Sequence, residues 1–397
     1  MQVKLSKTKI GDGLMNDYIF PKSLVDYISV LTNNGVPENK LYRYVNEFLE
    51  LSAREKGIPL HGGFELTPLC NLNCKMCYVH LSTKQYKQSQ LIKLETWKGF
   101  ISEAYKLGMR YASLTGGECL SYPWFDELYK FLIGKDIKTS VLTNGILLNR
   151  DRIDFFKSYP PRNIQVTVYG SCDETYKKVT GKGAFSLVQR NILSAKEAGL
   201  PIKVSITPSK FMWGDIEETL HAVDKLDVPY YVNAFLSPPR QNTGRALEDL
   251  TVEQYISVYK KRNELSNIGE LPCIDLADLP YPNYNRLEKQ GLRCGAGRSS
   301  FLIKYDGTMS PCVSMSYISV NTLYLGFEKA WKQVHNAAIS YRIPSECDDC
   351  LYSGVCLRCA TLHRNAPKEG HCDPRVCERT RKMVSAGVLP NPLVSEK

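Results

Sequence analysis

Nowhere does this chain carry a run of eighteen apolar residues, and its opening, MQVKLSKTKIGDGLMNDYIF, lacks the apolar core of a secretory signal. The first absence argues against a membrane-spanning helix, and the second places the chain in the cytoplasm, where thiols stay reduced. Lys and Arg form no block of five or six, despite a formal net charge of +10. That charge reads as a solvated surface or as an attraction for an acidic peptide, not as a nucleic-acid footprint. Internal repeats and low-complexity tracts are also missing, so neither a solenoid nor a disordered chain is expected. What remains is an ordinary globular composition, 43% hydrophobic and 23% charged. At 397 residues there is room for two or three domains.

Fourteen cysteines stand out against that background. In a reducing compartment they point to metal or catalytic use more than to disulfides. Three fall in TPLCNLNCKMCYVH as Cys70-x3-Cys74-x2-Cys77. Eight more follow as Cys294-x17-Cys312, Cys347-x2-Cys350-x5-Cys356-x2-Cys359, Cys372 and Cys377. Only Cys119, Cys172 and Cys273 stand apart.

Hydrophobic periodicity organises the rest. Pro37, Glu38 and Asn39 open a helix on which Leu41, Val45, Phe48, Leu49 and Leu51 recur at roughly helical spacing. From Gly62 to about Pro239 short apolar runs alternate with amphipathic helices. The expected strands are Phe64–Thr67, Tyr111–Thr115, Thr139–Leu142, Ile164–Val168, Lys203–Thr207 and Tyr230–Phe235. Six such units predict an α/β fold with a parallel sheet, open or curled into a partial (β/α)6 TIM-like barrel. A helix over Val252–Ser266 and a loop from Leu271 to Asn285 lead to the cysteine-rich region. The expected divisions are a helical N-terminal extension (1–60), the barrel (61–240), a linker (241–290) and a cysteine-rich domain (291–397).

Sheets of this kind carry chemistry at the carboxyl ends of their strands, and CNLNCKMC, TGGE, TNG and VYGS each follow an expected strand directly. Three thiolates this close can wrap one iron–sulfur cubane and leave its fourth iron open. A zinc site is the alternative, and it would want a fourth ligand, for which His80 is the best candidate.

The Cys70 motif resembles that of the radical S-adenosylmethionine superfamily. The resemblance implies a catalytic [4Fe-4S] cluster on Cys70, Cys74 and Cys77 whose open iron chelates S-adenosylmethionine. Reductive cleavage would then release a 5′-deoxyadenosyl radical. The family's aromatic residue before the third cysteine is replaced by Met76, which leaves Tyr78 for the adenine contact. By the same resemblance Gly116, Gly117 and Glu118 would meet the methionine end, Glu118 facing the ammonium. Thr143 and Asn144 would lie near the cofactor, and Thr167 and Tyr169 near the ribose. A flavodoxin- or ferredoxin-type protein would supply electrons.

The later cysteines fit a structural zinc or two four-iron clusters. With Gly307-x4-Cys312 they resemble the SPASM domain, which carries two auxiliary [4Fe-4S] clusters. Carried over, Cys294, Cys312 and Cys359 would hold the first, completed by Cys372 or Cys273 or left with an open iron. Cys347, Cys350 and Cys356 would hold the second, with Cys377, which opens a terminal helix, preferred to Cys372 as its fourth ligand. Relatives leave three residues between the last two cysteines of the second group; Cys356 and Cys359 have two between them.

Relatives with this combination mostly modify peptides and proteins. The reading is therefore a maturase that oxidatively crosslinks a ribosomally made peptide, docked on residues 1–60 or simply capped by them. The alternatives are anaerobic formylglycine formation in sulfatases and radical oxidation or epimerisation of a small molecule. Cys119 and Cys172, at expected strand ends, read as small hydrophobes or as catalytic thiols. Tyr230, Tyr231, Tyr281 and Tyr284 read as packing or channel lining, and Asp275, Asp278 and Arg245 as substrate contacts. His61 reads as a polar strand start.

Overall fold

A computed structural model describes residues 28–29, 31–32, 38–79, 81, 91–233, 250–265, 291–292, 294–342, 344–347, 349–356, 359–361 and 371–392. Expectations for His80, Arg245, Cys273, Asp275, Asp278, Tyr281 and Tyr284 lie outside these residues.

Six parallel strands lie side by side in chain order: β1 (His61–Glu65), β2 (Tyr111–Thr115), β3 (Lys138–Thr143), β4 (Asn163–Val168), β5 (Ile202–Ile206) and β6 (Tyr230–Val232). Each differs from its expected span by a few residues at most. The largest change is at β1, which starts at His61 because Gly62 and Gly63 join the ladder with Ala112 and Ser113. Helices cross between successive strands: α1 (Glu38–Lys56) precedes β1, and α2 (Leu94–Lys106), α3 (Phe125–Gly134), α4 (Arg150–Ser158), α5 (Asp173–Thr180), α6 (Phe185–Glu197) and α7 (Ile216–Asp224) follow. The strand alternation explains the layering. On β4, Ile164, Val166 and Val168 are buried towards the helices, while Gln165 and Thr167 face the other side.

Helix α2 shows how the pattern becomes packing. Trp97, Phe100, Ile101 and Ala104 recur at three- and four-residue steps and all are buried. Trp97 meets Phe64 edge to face at 5.8 Å, and Phe64 meets Phe301 likewise at 5.7 Å. Fully burying each such side chain contributes on the order of 1.5–3 kcal/mol.

Phe301 belongs to a strand that the sequence pattern does not announce. β7 (Ser300–Ile303) pairs in parallel with β1, His61 opposite Ser300, and continues antiparallel into β8 (Thr308–Ser310) and β9 (Val320–Asn321). The cysteine-rich region thus adds three strands to the barrel's own sheet, in the order β6-β5-β4-β3-β2-β1-β7-β8-β9. α8 (Val252–Leu265) precedes it, and α9 (Phe327–Ser340) and α10 (Pro374–Ser385) follow. The terminal helix begins earlier than expected, before Cys377. Asp373 caps it by accepting from the Arg375 amide at 2.9 Å, with Pro374 in the first turn.

α1 is held against the base of the sheet. Phe48 and Leu51 are buried, and Ser299 donates to Glu50 at 2.6 Å. Just beyond the helix, Trp331 of α9 donates to the Gly57 carbonyl at 2.9 Å. Among the described residues, no helix is long and apolar enough to cross a membrane.

Candidate active site

The loop after β1 carries the three thiols and is fixed from both sides. The Asn73 and Lys75 amides donate to Thr180 and Val179 at the end of α5, at 2.8 and 3.0 Å. Opposite, the Gly117 amide donates to Thr67 at 2.7 Å, and the Glu118 amide to Leu69 at 2.7 Å. This crossing of two backbones requires glycine. A Cβ at Gly117 would lie 2.2 Å from the Leu69 carbonyl oxygen, and Gly116 has φ +142° with Thr67 O 2.5 Å from its would-be Cβ.

Glu118 departs from its expected role at the methionine ammonium. It is fully buried and does not line the cavity. Its carboxylate instead accepts from Thr143 Oγ1 and the Leu120 amide at 2.8 and 3.1 Å, and from the Asn144 amide at 2.8 Å. Burial pushes its pKa up from the ordinary carboxylate value, against these three donors. The Glu of TGGE therefore splices the β2 loop to the β3 turn.

The thiols open on a cavity of about 750 Å³, within the range of small-molecule sites. Besides Cys70, Cys74 and Cys77 its walls include Tyr78, Gly116, Gly117, Thr143, Asn144, Thr167 and Tyr169. Cys70 is exposed towards it, yet enough protein surrounds the sulfur to push its pKa to about 11. Amide donors from Leu72 (3.4 Å) and Asn144 (3.5 Å) oppose that rise. Burial also raises the Tyr169 phenol well above its usual value, with Cys74, Cys77 and Cys70 adding to it. Gln165, Ser205, Thr207 and Asn233 also line the cavity. None was singled out from sequence; the signal was a polar residue at every second position of β4 and β5. Asn233 ties this wall together by donating to Ser205 and Thr207 at 3.1 and 2.6 Å.

The C-terminal cysteines reach the same cavity. Cys294, Cys312, Cys356 and Cys359 line it across from the first loop. Cys294 and Cys359 act electrostatically on Cys312, whose thiol burial pushes to about 11. A second group surrounds Cys347: Cys372, Cys356, Cys377 and Cys350. Cys372, left open by the sequence between completing the first cluster and replacing Cys377 in the second, lies in this group. Its sulfur lies 2.8 Å from that of Cys377. The reason is Glu346, which accepts from the Cys372 amide at 3.1 Å and pairs with His371, drawing this segment onto the Cys347 turn. Cys119 and Cys172 do not line the cavity. Cys119 is fully buried against the Leu142 carbonyl at 3.2 Å, and Cys172 precedes α5 beside Thr175. Of the tyrosines considered, Tyr231 lines the cavity.

A parallel half-barrel with three cysteines in the loop after its first strand defines a class. Residues 64–223 match the Radical SAM superfamily, so the chain is an enzyme that carries a domain of that superfamily. The antilisterial bacteriocin subtilosin biosynthesis protein AlbA of Bacillus subtilis is 26% identical over 86% of this chain and 76% of its own length. An AdoMet-dependent heme synthase of Methanosarcina barkeri is also 26% identical, over 75% of this chain and 89% of its own. In fold, Streptococcus suis SuiB bound to S-adenosylmethionine superposes with a TM-score of 0.64 at 14% identity, covering 89% of this chain and 86% of that one. Native anSMEcpe with bound AdoMet gives 0.63 at 15%, covering 84% and 98%.

A domain of this superfamily implies S-adenosylmethionine and one four-iron cluster as cofactors. The donor set suits them: three soft thiols on one pinned loop, with a cavity of ligand size in front.

Proposed function

We propose that this enzyme oxidatively modifies a ribosomally synthesised peptide, forming a thioether or carbon crosslink. Cys70, Cys74 and Cys77 would hold the catalytic cluster, which when bound supplies the electron that cleaves S-adenosylmethionine. Thr167, Tyr169 and Tyr78 would position the nucleoside, and the Gly116–Gly117 backbone the methionine end. In this reading the C-terminal region is a SPASM domain. Cys294, Cys312 and Cys359 would hold one auxiliary cluster. Cys347, Cys350, Cys356 and Cys377 would hold the other, with Cys372 competing for the last place.

One observation carries the reading: the Cys70 group and the Cys294–Cys312–Cys359 group line a single cavity. A substrate there lies between the site where hydrogen is abstracted and a centre able to accept the remaining electron, which net oxidation requires. The likeness to AlbA, a bacteriocin biosynthesis protein, over most of both chains supports a peptide as that substrate.

The test is anaerobic co-expression with each short open reading frame beside the gene, followed by intact-peptide mass measurement. Loss of two hydrogens from a Cys-containing peptide, abolished in Cys70→Ala, is the expected outcome. No mass change while S-adenosylmethionine is still cleaved would favour a small molecule, the reading that the heme synthase likeness supports, or a sulfatase.

A further inference from the structure

The TNG turn after β3 was read as part of the S-adenosylmethionine site, but its asparagine is directed at a cysteine. Asn144 Nδ2 donates to Cys70 Sγ at 3.5 Å and to Asn71 Oδ1 at 2.7 Å. Its side-chain oxygen accepts from the Ile146 amide at 3.1 Å, which settles the amide's orientation with nitrogen towards sulfur. Its backbone amide donates to Glu118 Oε2 at 2.8 Å. Glu118 Oε1 in turn accepts from Thr143 Oγ1, and that oxygen accepts from the Gly145 amide at 3.0 Å. The whole turn hangs from one buried carboxylate.

We propose that Asn144 is a positioning residue for the Cys70 sulfur, held by Glu118, and that its N–H raises the reduction potential of the cluster on that sulfur. The proposal rests on the reading of Cys70 as a cluster ligand. A donor to a coordinating thiolate withdraws electron density and stabilises the more negative, reduced cluster. Only two amide donors reach Cys70 among the described residues, Leu72 and Asn144, and only the second is a side chain that can be changed. The effect would arise in the free enzyme, before S-adenosylmethionine binds.

Full-length wild type, Asn144→Ala and Asn144→Asp are reconstituted anaerobically and titrated against potential by EPR. The signal that changes on adding S-adenosylmethionine marks the Cys70 cluster. A wild type without that signal would overturn the cluster reading and this proposal with it. Where the wild type is half reduced, Asn144→Ala is expected to lower the reduced-to-oxidised ratio roughly three- to tenfold, the worth of one hydrogen bond. Asn144→Asp keeps the shape and the acceptor for Ile146 but sets a carboxylate against the sulfur, so its ratio falls further. Glu118→Gln shifts it in the same direction by less. Unchanged potentials in Asn144→Ala and Asn144→Asp with iron intact would overturn the proposal. So would unchanged potentials with weaker S-adenosylmethionine binding, which would place Asn144 on the cofactor.

Discussion

Glu50 and Glu118 are both held by hydrogen-bond donors, yet their pKa values move in opposite directions from the ordinary carboxylate value. Burial raises the Glu50 pKa, but His61 at 2.7 Å, the Ser299 hydroxyl at 2.6 Å and Arg54 at 3.3 Å outweigh it and bring the value to about 2. A folded value below the ordinary 4.5 means that ionised Glu50 stabilises the fold above about pH 4.5, and that the gain is lost as pH falls towards 2. Glu50→Gln should therefore cost about 1–3 kcal/mol at pH 7 and about half of that at pH 3. Urea unfolding at both pH values checks this, and an equal loss at each would show that charge is not the cause. Neither acid's role was legible in the sequence. A carboxylate in a motif reads as a ligand or a surface group, and only the fold shows that Glu118 is already fully occupied. The cysteines were legible because a thiol triplet at that spacing has few other uses.

At the scale of elements, periodicity found all six parallel strands, because each pairs an apolar helix-facing row with turn residues at its end. It missed β7, β8 and β9, which are four, three and two residues long and too short to show alternation. It also missed that α1 is clamped by Glu50 and followed by the Trp331–Gly57 contact, so a cut through α1 would unseat the base of the sheet. The informative truncation stops before α1. Removal of residues 1–27 should leave S-adenosylmethionine cleavage intact. If these residues dock a leader, peptide affinity alone should fall, as isothermal titration would show. A peptide bound equally well would leave residues 1–27 no docking role.

For the molecule as a whole, the eight C-terminal cysteines form two groups that share Cys356, one facing the cavity and one gathered around Cys347. Three four-iron clusters would bring about twelve irons per chain and no zinc. Metal analysis of anaerobically purified protein decides this: about four irons with bound zinc would defeat the auxiliary-cluster reading. The pairing of His61 with Ser300 has a kinetic consequence. β1 is among the first strands to leave the ribosome, yet one of its two edges stays open until β7, at residues 300–303 of 397, has been made. Such distant closure slows folding and leaves an unpaired edge exposed to other chains in the meantime. All the C-terminal cysteines but Cys294 are made after β7, so any metal they bind would be a late step in the protein's own biogenesis.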